Sequence, residues 1–169
     1  SEPTTVLGQK MNEFTLDNCY GKTVSLSDFD DKGAVAIVFL GTECPLAKLY
    51  GRRLSDLQAK YQSAGVAVIG INSNTQDSLT ELAAYAHRYD VNLPLLKEVG
   101  NRVADAIGDS RTPEVFLLDA DRIVRYHGRI DDQYGVGYSR ERTVQPDLAI
   151  AIDQLLAGES IAVPETEVV

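Results

Sequence analysis

A cysteine lies at the point where a strand-forming segment of this chain gives way to a helical pattern. The apolar run Ala34–Phe39 predicts a strand that is covered on both faces. From Pro45 onward, leucines and tyrosines recur at intervals of three and four residues, which predicts a helix that begins at this proline. Cys44 is therefore expected at a helix N-terminus, where unpaired backbone N–H groups and the helix dipole favour a thiolate.

The charged residues on either side of Cys44 act on its thiol in opposite directions. Glu43 raises the pKa of the neighbouring thiol, because a second negative charge opposes ionisation. Lys48, about one helical turn away, favours the thiolate. Two interpretations stay open: Cys44 is a reactive thiol, which we prefer, or it is a small buried residue that fills the core.

The length and composition limit the number of domains and the kinds of partner that are expected. The chain has 169 residues and a formal net charge of −9, and we expect one domain over residues 1–158 and an acidic, mobile tail over residues 159–169. The negative charge argues against nucleic-acid and anionic-membrane partners, since both attract a basic surface. No apolar run approaches the roughly 20 residues that span a bilayer, so no membrane insertion of this chain is expected.

The two cysteines are too few for a disulfide framework, and neither has the spacing of a zinc site. We expect no metal and no other cofactor. Cys19 falls within the segment DNCYGKT, whose Asn, Gly and Lys predict a surface turn between two short strands. Cys19 is either a bystander, which we prefer, or the residue that forms a disulfide with Cys44.

Strand and helix patterns alternate along the rest of the chain. Further strands are predicted at residues 66–71, 114–118 and 123–127, and further helices at residues 78–89, 99–107 and 147–156. A strand, a helical crossover and a parallel strand form the right-handed α/β unit, and the last two strands form a hairpin. These patterns predict a mixed sheet with helices on its faces.

The segment SRTPEVFLLD carries a second feature that bears on chemistry. Pro113 directly precedes the predicted strand 114–118, within which a proline would lose a ladder hydrogen bond. A cis peptide bond between Thr112 and Pro113 would turn the backbone groups of Thr112 toward a neighbouring loop.

Together these features resemble the thioredoxin-like superfamily, in its redoxin branch of AhpC/TSA-like and TlpA-like proteins. FTLDNCYGKTVSLSDF is similar to the N-terminal segment of that branch, and TPEVFLLD is similar to the thioredoxin-type proline loop and strand. YHGRIDD and LLAG resemble a bacterial subgroup often found in larger secreted or membrane-associated proteins. The resemblance implies a three-layer α/β/α sandwich with an N-terminal β-hairpin extension, in a periplasmic or otherwise exported protein rather than a cytoplasmic one.

The resemblance also implies roles for individual residues. Cys44 takes the redox-active position, and Pro113 takes the position of the cis-proline that clamps a substrate. Thr112 would offer backbone hydrogen bonds to a bound thiol substrate. Thr42 and Pro45 would complete the substrate contacts.

Two motifs of the superfamily are incomplete in this chain. The Cys–x–x–Cys motif of thioredoxins ends here in Ala47 instead of a second cysteine. The Pro–x–x–x–Thr–x–x–Cys motif of peroxiredoxins has Ile37 and Gly41 in place of its proline and threonine. The peroxiredoxin arginine would fall near Pro113, where Arg111 is an approximate substitute.

The preferred hypothesis is a thiol–disulfide oxidoreductase, or a thiol-dependent antioxidant protein, that acts through Cys44 alone. Its partners would be protein or low-molecular-weight thiols and disulfides, or a peroxide, with an external thiol as reductant. Since Ala47 cannot resolve a mixed disulfide, the second sulfur must come from an external thiol, from Cys19 or from a cysteine outside this chain. The alternative is a non-catalytic thioredoxin-like binding module of a larger exported protein.

His127 lies at the end of the last predicted strand. We expect a partly exposed and inert imidazole there. Proton transfer to or from Cys44 is the alternative, because the ordinary pKa of histidine lies close to neutral pH.

Overall fold

The computed structural model describes residues 7–39, 45–72, 78–97, 114–130, 134–135, 138–139 and 146–166, and for residues 45–49, 134–135 and 138–139 it describes the backbone alone. The strands are β1 (Thr15–Asn18), β2 (Thr23–Ser25), β3 (Ala34–Phe39), β4 (Val66–Asn72), β5 (Leu95–Lys97), β6 (Glu114–Leu118), β7 (Val124–Gly128), β8 (Tyr134–Gly135) and β9 (Tyr138–Ser139). The helices are α1 (Pro45–Tyr61), α2 (Leu79–Arg88) and α3 (Asp147–Leu156), with short 3-10 helices at Leu26–Phe29 and Gln62–Ala64.

Seven strands form one sheet in the order β2-β1-β5-β4-β3-β6-β7. The neighbours β3, β4 and β5 are parallel, and the pairs β1–β2, β1–β5, β3–β6 and β6–β7 are antiparallel. β8 and β9 form a separate antiparallel pair. The predicted mixed α/β sheet with an N-terminal hairpin is confirmed.

The side chains of the central strands alternate between two apolar clusters, one on each face of the sheet. On one face, Ala36 and Leu117 pack in a cluster with residues of α1, α2 and α3. On the other face, Ile37 and Phe116 pack with residues that precede β1 and with the first 3-10 helix. The helix predicted at residues 99–107 lies outside the described residues.

The described helices begin and end close to their predicted bounds. α1 begins at Pro45, and Gly65, with a φ of 82°, ends the 3-10 helix that follows it. Ser78 caps α2, because its hydroxyl oxygen accepts a hydrogen bond of 3.1 Å from the backbone N–H of Glu81. Within the described part of the chain, no helix is both long enough and apolar enough to cross a membrane.

The predicted turn between β1 and β2 is present, but its cysteine is not at the surface. The side chain of Asn18 accepts hydrogen bonds of 2.9 Å from the backbone N–H groups of Tyr20 and Lys22. Cys19 is only 8% exposed and packs in the same cluster as the helices. Its backbone N–H donates to the carbonyl of Leu95, so the start of the turn is held against β5 and the thiol lies in the core.

A bulge in β7 places Val124 and Tyr126 on opposite faces of the sheet, although residues two positions apart in a regular strand share one face. Leu117 is paired with Tyr126, whereas Leu118 is paired with Val124, so Arg125 is an extra residue in β7. As a result Tyr126 lies in the helix-covered cluster and Val124 in the opposite one.

The C-terminal tail lies along β7, the edge strand of the sheet. The carbonyl of Pro164 accepts a hydrogen bond from the N–H of His127, and the N–H of Thr166 donates to the carbonyl of His127. The hydroxyl of Thr166 lies 2.8 Å from that of Tyr126 and accepts a 2.8 Å bond from the N–H of Arg129. The described part of the tail thus finds partners for its polar groups on β7, which only the folded sheet provides, and the mobility of the tail stays a prediction.

Candidate functional site

The carboxyl end of β3 and the amino end of β6 lie side by side, because these two neighbouring strands are antiparallel. Phe39, the last residue of β3, is in register with Glu114, the first residue of β6. A few residues after Phe39 the chain enters α1 at Pro45. Cys44 directly precedes that helix in the sequence, and Pro113 directly precedes β6.

The residues singled out from the sequence divide into three groups, according to how much of each the structure describes. Six of them lie outside the described residues: Thr42, Glu43, Cys44, Arg111, Thr112 and Pro113. Pro45 and Lys48 belong to the first turn of α1, where the backbone alone is described. Cys19 and His127 are described, and the structure places one after β1 and the other in β7, on opposite sides of the centre of the sheet.

A buried carboxyl–imidazole pair, Glu114 and His127, lies on β6 and β7. Glu114 is 4% exposed, and its Oε1 is hydrogen bonded to Nε2 of His127 on the neighbouring strand. Removing one partner of a buried ion pair costs about 3–5 kcal/mol, because the other charge is left uncompensated. The pairing therefore explains how a glutamate is accommodated in a strand whose residues are all buried.

The imidazole of His127 is held from several sides. Its ring stacks on Phe116 with 4.6 Å between the ring centres and an angle of 17°. Phe116 in turn meets Phe39 edge-on at 5.7 Å. Nδ1 lies 3.4 Å from Oε2 of Glu165 in the tail. The side chain of His127 is 20% exposed, so the prediction of a partly exposed histidine is confirmed.

The two carboxylates set the protonation of His127. Burial lowers the pKa of the imidazole, but the hydrogen bond and negative charge of Glu114, followed by those of Glu165, raise the pKa above its ordinary value of 6.5 overall. The imidazolium form of His127 is therefore favoured more than that of an ordinary histidine. Among the residues that the structure describes, no group of three or more His, Cys, Asp or Glu side chains is arranged to hold a metal ion.

Neither Glu114 nor Glu165 is among the residues singled out from the sequence. One feature of the sequence could have drawn attention to Glu114: it is the only charged residue in the segment EVFLL, which otherwise has the pattern of a buried strand. No feature of the sequence indicates a role for Glu165, because its contact with His127 depends on the path of the tail along β7.

Cys19 lies beside a surface cavity of about 630 Å³, between the β1–β2 turn and the residues that precede β5. Burial raises the pKa of its thiol, although a hydrogen bond with Tyr20 acts in the opposite direction. In the sheet, β5 and β4 separate β1 from β3, a lateral span of about 14 Å at the usual strand spacing. The resolving role of Cys19 stays a prediction.

The fold and the sequence together define the class of protein. The mixed sheet with parallel strands at its centre and three described helices has the thioredoxin-like α/β fold. The profile of the AhpC/TSA family matches residues 7–127, a segment that contains β1 to β6 and nearly all of β7. This chain belongs to the AhpC/TSA family.

Curated relatives carry the names of two kinds of thiol enzyme. The thiol-disulfide oxidoreductase ResA of Halalkalibacterium halodurans is 27% identical over 121 residues, which cover 71% of this chain and 67% of that protein. The chloroplastic peroxiredoxin Q of Triticum aestivum is 32% identical over 120 residues, which cover 67% of this chain and 54% of that protein. The chain thus spans about half to two thirds of the length of these relatives.

The likeness to a solved structure extends over nearly the whole chain. The crystal structure of a hypothetical protein from Sinorhizobium meliloti 1021 matches with a TM-score of 0.85 and 31% identity. The match covers 99% of this chain and 91% of that one. The shared architecture therefore includes α3 and the tail, which lie beyond the part matched by the family profile.

Proposed function

We propose that this chain is a thiol–disulfide oxidoreductase that acts through a single redox-active cysteine, Cys44. The observation that carries the proposal is the start of α1 at Pro45, since Cys44 is bonded to the first residue of that helix. Unpaired N–H groups in the first turn and the helix dipole stabilise a thiolate there. The names of the relatives within the family support the same chemistry.

The proposed reaction is thiol–disulfide exchange with an external thiol. The Cys44 thiolate attacks one sulfur of a substrate disulfide, the bond between the substrate sulfurs breaks, and the second sulfur leaves as a thiolate. Because Ala47 takes the place of a second cysteine, an external thiolate then attacks the substrate sulfur of the mixed disulfide. The bond to Cys44 breaks, Cys44 leaves as a thiolate, and the substrate sulfur forms a disulfide with the external thiol, which a second external thiol reduces. The proposed substrates and reductants are proteins or low-molecular-weight thiols and disulfides.

Residues near Cys44 in the proposed site have two kinds of role. The substrate would be held by Thr42 and Thr112 and by the two prolines, Pro45 and Pro113. The reactivity of the thiol would be adjusted by the charged residues Glu43, Lys48 and Arg111. These assignments follow the family resemblance and the sequence positions.

Peroxide reduction is a second activity of the same thiol, which would be oxidised to a sulfenic acid. The peroxiredoxin Q relative supports it. Ile37 and Gly41, which replace the peroxiredoxin proline and threonine, argue for disulfide chemistry instead.

Turnover of a small aromatic disulfide and of hydrogen peroxide, each with dithiothreitol as the external thiol, tests the proposal. The wild type and Cys19→Ser should turn over equally, and Cys44→Ser should lose turnover. Full turnover by Cys44→Ser would refute the proposed function. A loss of turnover in Cys19→Ser would refute the single-cysteine mechanism and make Cys19 the second sulfur.

Ala47 also favours a second candidate function, a non-catalytic module that binds a partner segment within a larger exported protein. Such a module needs no activated sulfur. A pKa of Cys44 near the ordinary 8.5, together with partner binding that survives Cys44→Ala, would favour this function over catalysis.

A further inference from the structure

The tail residues 164–166, the docked segment, cover part of the edge strand β7. Two backbone hydrogen bonds hold them there, and the pairing of Glu165 with His127 is parallel. Gly128 leaves room for the docked segment, since a Cβ at this position would overlap the hydroxyl group of Thr166. These contacts do not depend on pH, because neither the backbone nor a threonine hydroxyl titrates near neutrality.

The contact between the side chains of Glu165 and His127, in contrast, depends on pH. Nε2 of the imidazole is hydrogen bonded to Oε1 of Glu114, and Nδ1 lies 3.4 Å from Oε2 of Glu165. Both ring nitrogens therefore face a carboxylate. Only the imidazolium form carries an N–H on both nitrogens, so only this form can donate to both carboxylates at once.

A neutral imidazole has one N–H, and the burial of the two carboxylates decides which of them receives it. Glu114 is 4% exposed, so the loss of its donor would leave a buried charge without compensation. The side chain of Glu165 is 49% exposed, and water can solvate it. The single N–H of neutral His127 therefore belongs on Nε2. The lone pair of Nδ1 then faces the Glu165 carboxylate, and the two acceptors repel each other.

We propose that the docked segment is a pH-controlled latch: protonated His127 holds Glu165 on β7, and loss of that proton releases residues 164–166 from the edge of the sheet. This inference does not rest on the proposed function of Cys44. Either of the two can fail while the other stands.

The release is confined to the end of the tail. Ile161 packs against the helix-covered cluster, and the N–H of Ala162 donates a 3.0 Å hydrogen bond to Oε1 of Gln154. These contacts precede the docked segment and contain no group that titrates near neutral pH. The release uncovers the backbone N–H and carbonyl of His127, which are then open to pairing with another extended segment.

The charged groups around the imidazole set the pH at which the latch opens. Among the described residues, Glu114 faces the ring from β6 and Glu165 faces it from the tail, while Phe116 of β6 stacks on it. The arginines of β7 have carboxylate partners of their own, in the pairs Arg125–Asp119 and Arg129–Asp147. Burial lowers the pKa of His127, but the two carboxylates raise it above 6.5 overall. The latch is therefore closed below that pKa and opens as the pH rises through it.

Hydrogen exchange of the Thr166 amide, measured by NMR on the full chain, tests the latch. The protection factor refers each rate to that of an unstructured peptide at the same pH, so the intrinsic pH dependence of exchange cancels. We expect the protection factor to fall about twofold to fivefold between about pH 6 and pH 9, as the loss of a partly exposed ion pair permits. The fall should follow the titration of the His127 ring. The amide of Ala162 is the internal control and should keep its protection.

Two substitutions test the two sides of the latch separately. His127→Gln removes the titrating group, so the protection of the Thr166 amide should no longer depend on pH. Glu165→Gln should also abolish the fall, because its neutral amide can donate to Nδ1 of a neutral imidazole. It changes an exposed side chain and so provides the test even if His127→Gln does not fold. Glu159→Gln and His87→Gln, which also change exposed side chains, are matched controls and should keep the wild-type fall.

A reciprocal measurement follows from the same coupling. Linkage between two sites is mutual, so Glu165→Gln should move the NMR titration of the His127 ring to lower pH. Constant protection of the Thr166 amide across that titration would overturn the latch, and so would a wild-type fall in Glu165→Gln. None of these readouts involves Cys44, so the turnover of Cys44→Ser decides the proposed function independently.

Discussion

The hydroxyl of Tyr61, the last residue of α1, donates a hydrogen bond of 2.7 Å to Oδ1 of Asp153 in α3. Burial raises the pKa of Tyr61 well above its ordinary value, and the neighbouring carboxylate raises it further. The phenol therefore stays protonated and remains a donor. The two residues are 92 positions apart, so this bond joins the first and last helices on one face of the sheet.

Loss of this hydrogen bond should destabilise the protein modestly. Tyr61→Phe keeps the ring and removes the donor, and we expect the free energy of unfolding to fall by about 1 kcal/mol. Urea unfolding monitored by circular dichroism measures the change. Tyr89→Phe is the control, because the contacts of Tyr89 with Tyr85 and Arg88 are made by its ring, which phenylalanine keeps, and this variant should unfold like the wild type. Equal stability of Tyr61→Phe and the wild type would show that the bond contributes nothing.

Both the side chain and the backbone conformation of Arg122 should affect the free energy of unfolding. Its guanidinium donates to the carbonyls of Phe29, Lys32 and Asp119 and so holds the β6–β7 turn against the first 3-10 helix. We expect Arg122→Ala to lower the free energy of unfolding by about 2–3 kcal/mol, because three partly buried carbonyls lose a charged donor.

The backbone of Arg122 provides a matched comparison. Its φ of 64° lies in the left-handed region, which costs a non-glycine residue roughly 1 kcal/mol. Arg122→Gly loses the same hydrogen bonds as Arg122→Ala but adopts this φ freely. Arg122→Gly should therefore be the more stable variant in urea unfolding, and the reverse order would contradict a strained backbone.

Gly51 should not tolerate alanine, although alanine is the better helix former. A Cβ at this position of α1 would lie 2.5 Å from the hydroxyl of Tyr85 and 2.9 Å from Cγ2 of Val91. We expect Gly51→Ala to lower stability by about 1–3 kcal/mol through overpacking. In a Tyr85→Phe background, which removes the closest atom, the same substitution should cost less. An equal cost in both backgrounds would exclude the Tyr85 contact as the cause.

The charged pair of His127 should make stability depend on pH. The folded-state pKa of His127 is raised above an unfolded value near 6.5. Its contribution is therefore fully present below about pH 6.5 and is lost as the pH rises through the folded pKa. Urea unfolding between about pH 6 and pH 9 should show the wild type losing more stability than His127→Gln does. The control His87→Gln should behave like the wild type, and parallel curves for His127→Gln would contradict the shift.

Cys19 should stay reduced when Cys44 is oxidised. Its thiol is buried, and its burial raises the thiol pKa, so both access and thiolate content are low. Treatment of the native protein with one equivalent of hydrogen peroxide, followed by iodoacetamide in urea and mass spectrometry, should find Cys19 alkylated. A Cys19–Cys44 disulfide in the peptide map would instead establish Cys19 as the resolving cysteine.

The local elements of this fold could be predicted because their signals lie within short segments. The apolar run Ala34–Phe39 and the start of α1 at Pro45 are both present where the pattern indicates them. The turn around Asn18 is present too, because a side chain that accepts hydrogen bonds from two nearby N–H groups is a local feature. Propensity, capping and periodicity act over a few residues, so one sequence suffices to recognise them.

The surroundings of Cys19 and Glu114 could not be predicted in this way. Cys19 lies in a turn, yet the pairing of β1 with β5 places its side chain in the apolar cluster that contains residues of the helices. Glu114 meets His127 because β6 and β7 pair in a register that includes an extra residue at Arg125. Strand pairing is decided by which apolar faces the whole chain can bury at once. The sequence therefore determined the elements, and the packing of distant segments determined which ionisable groups meet.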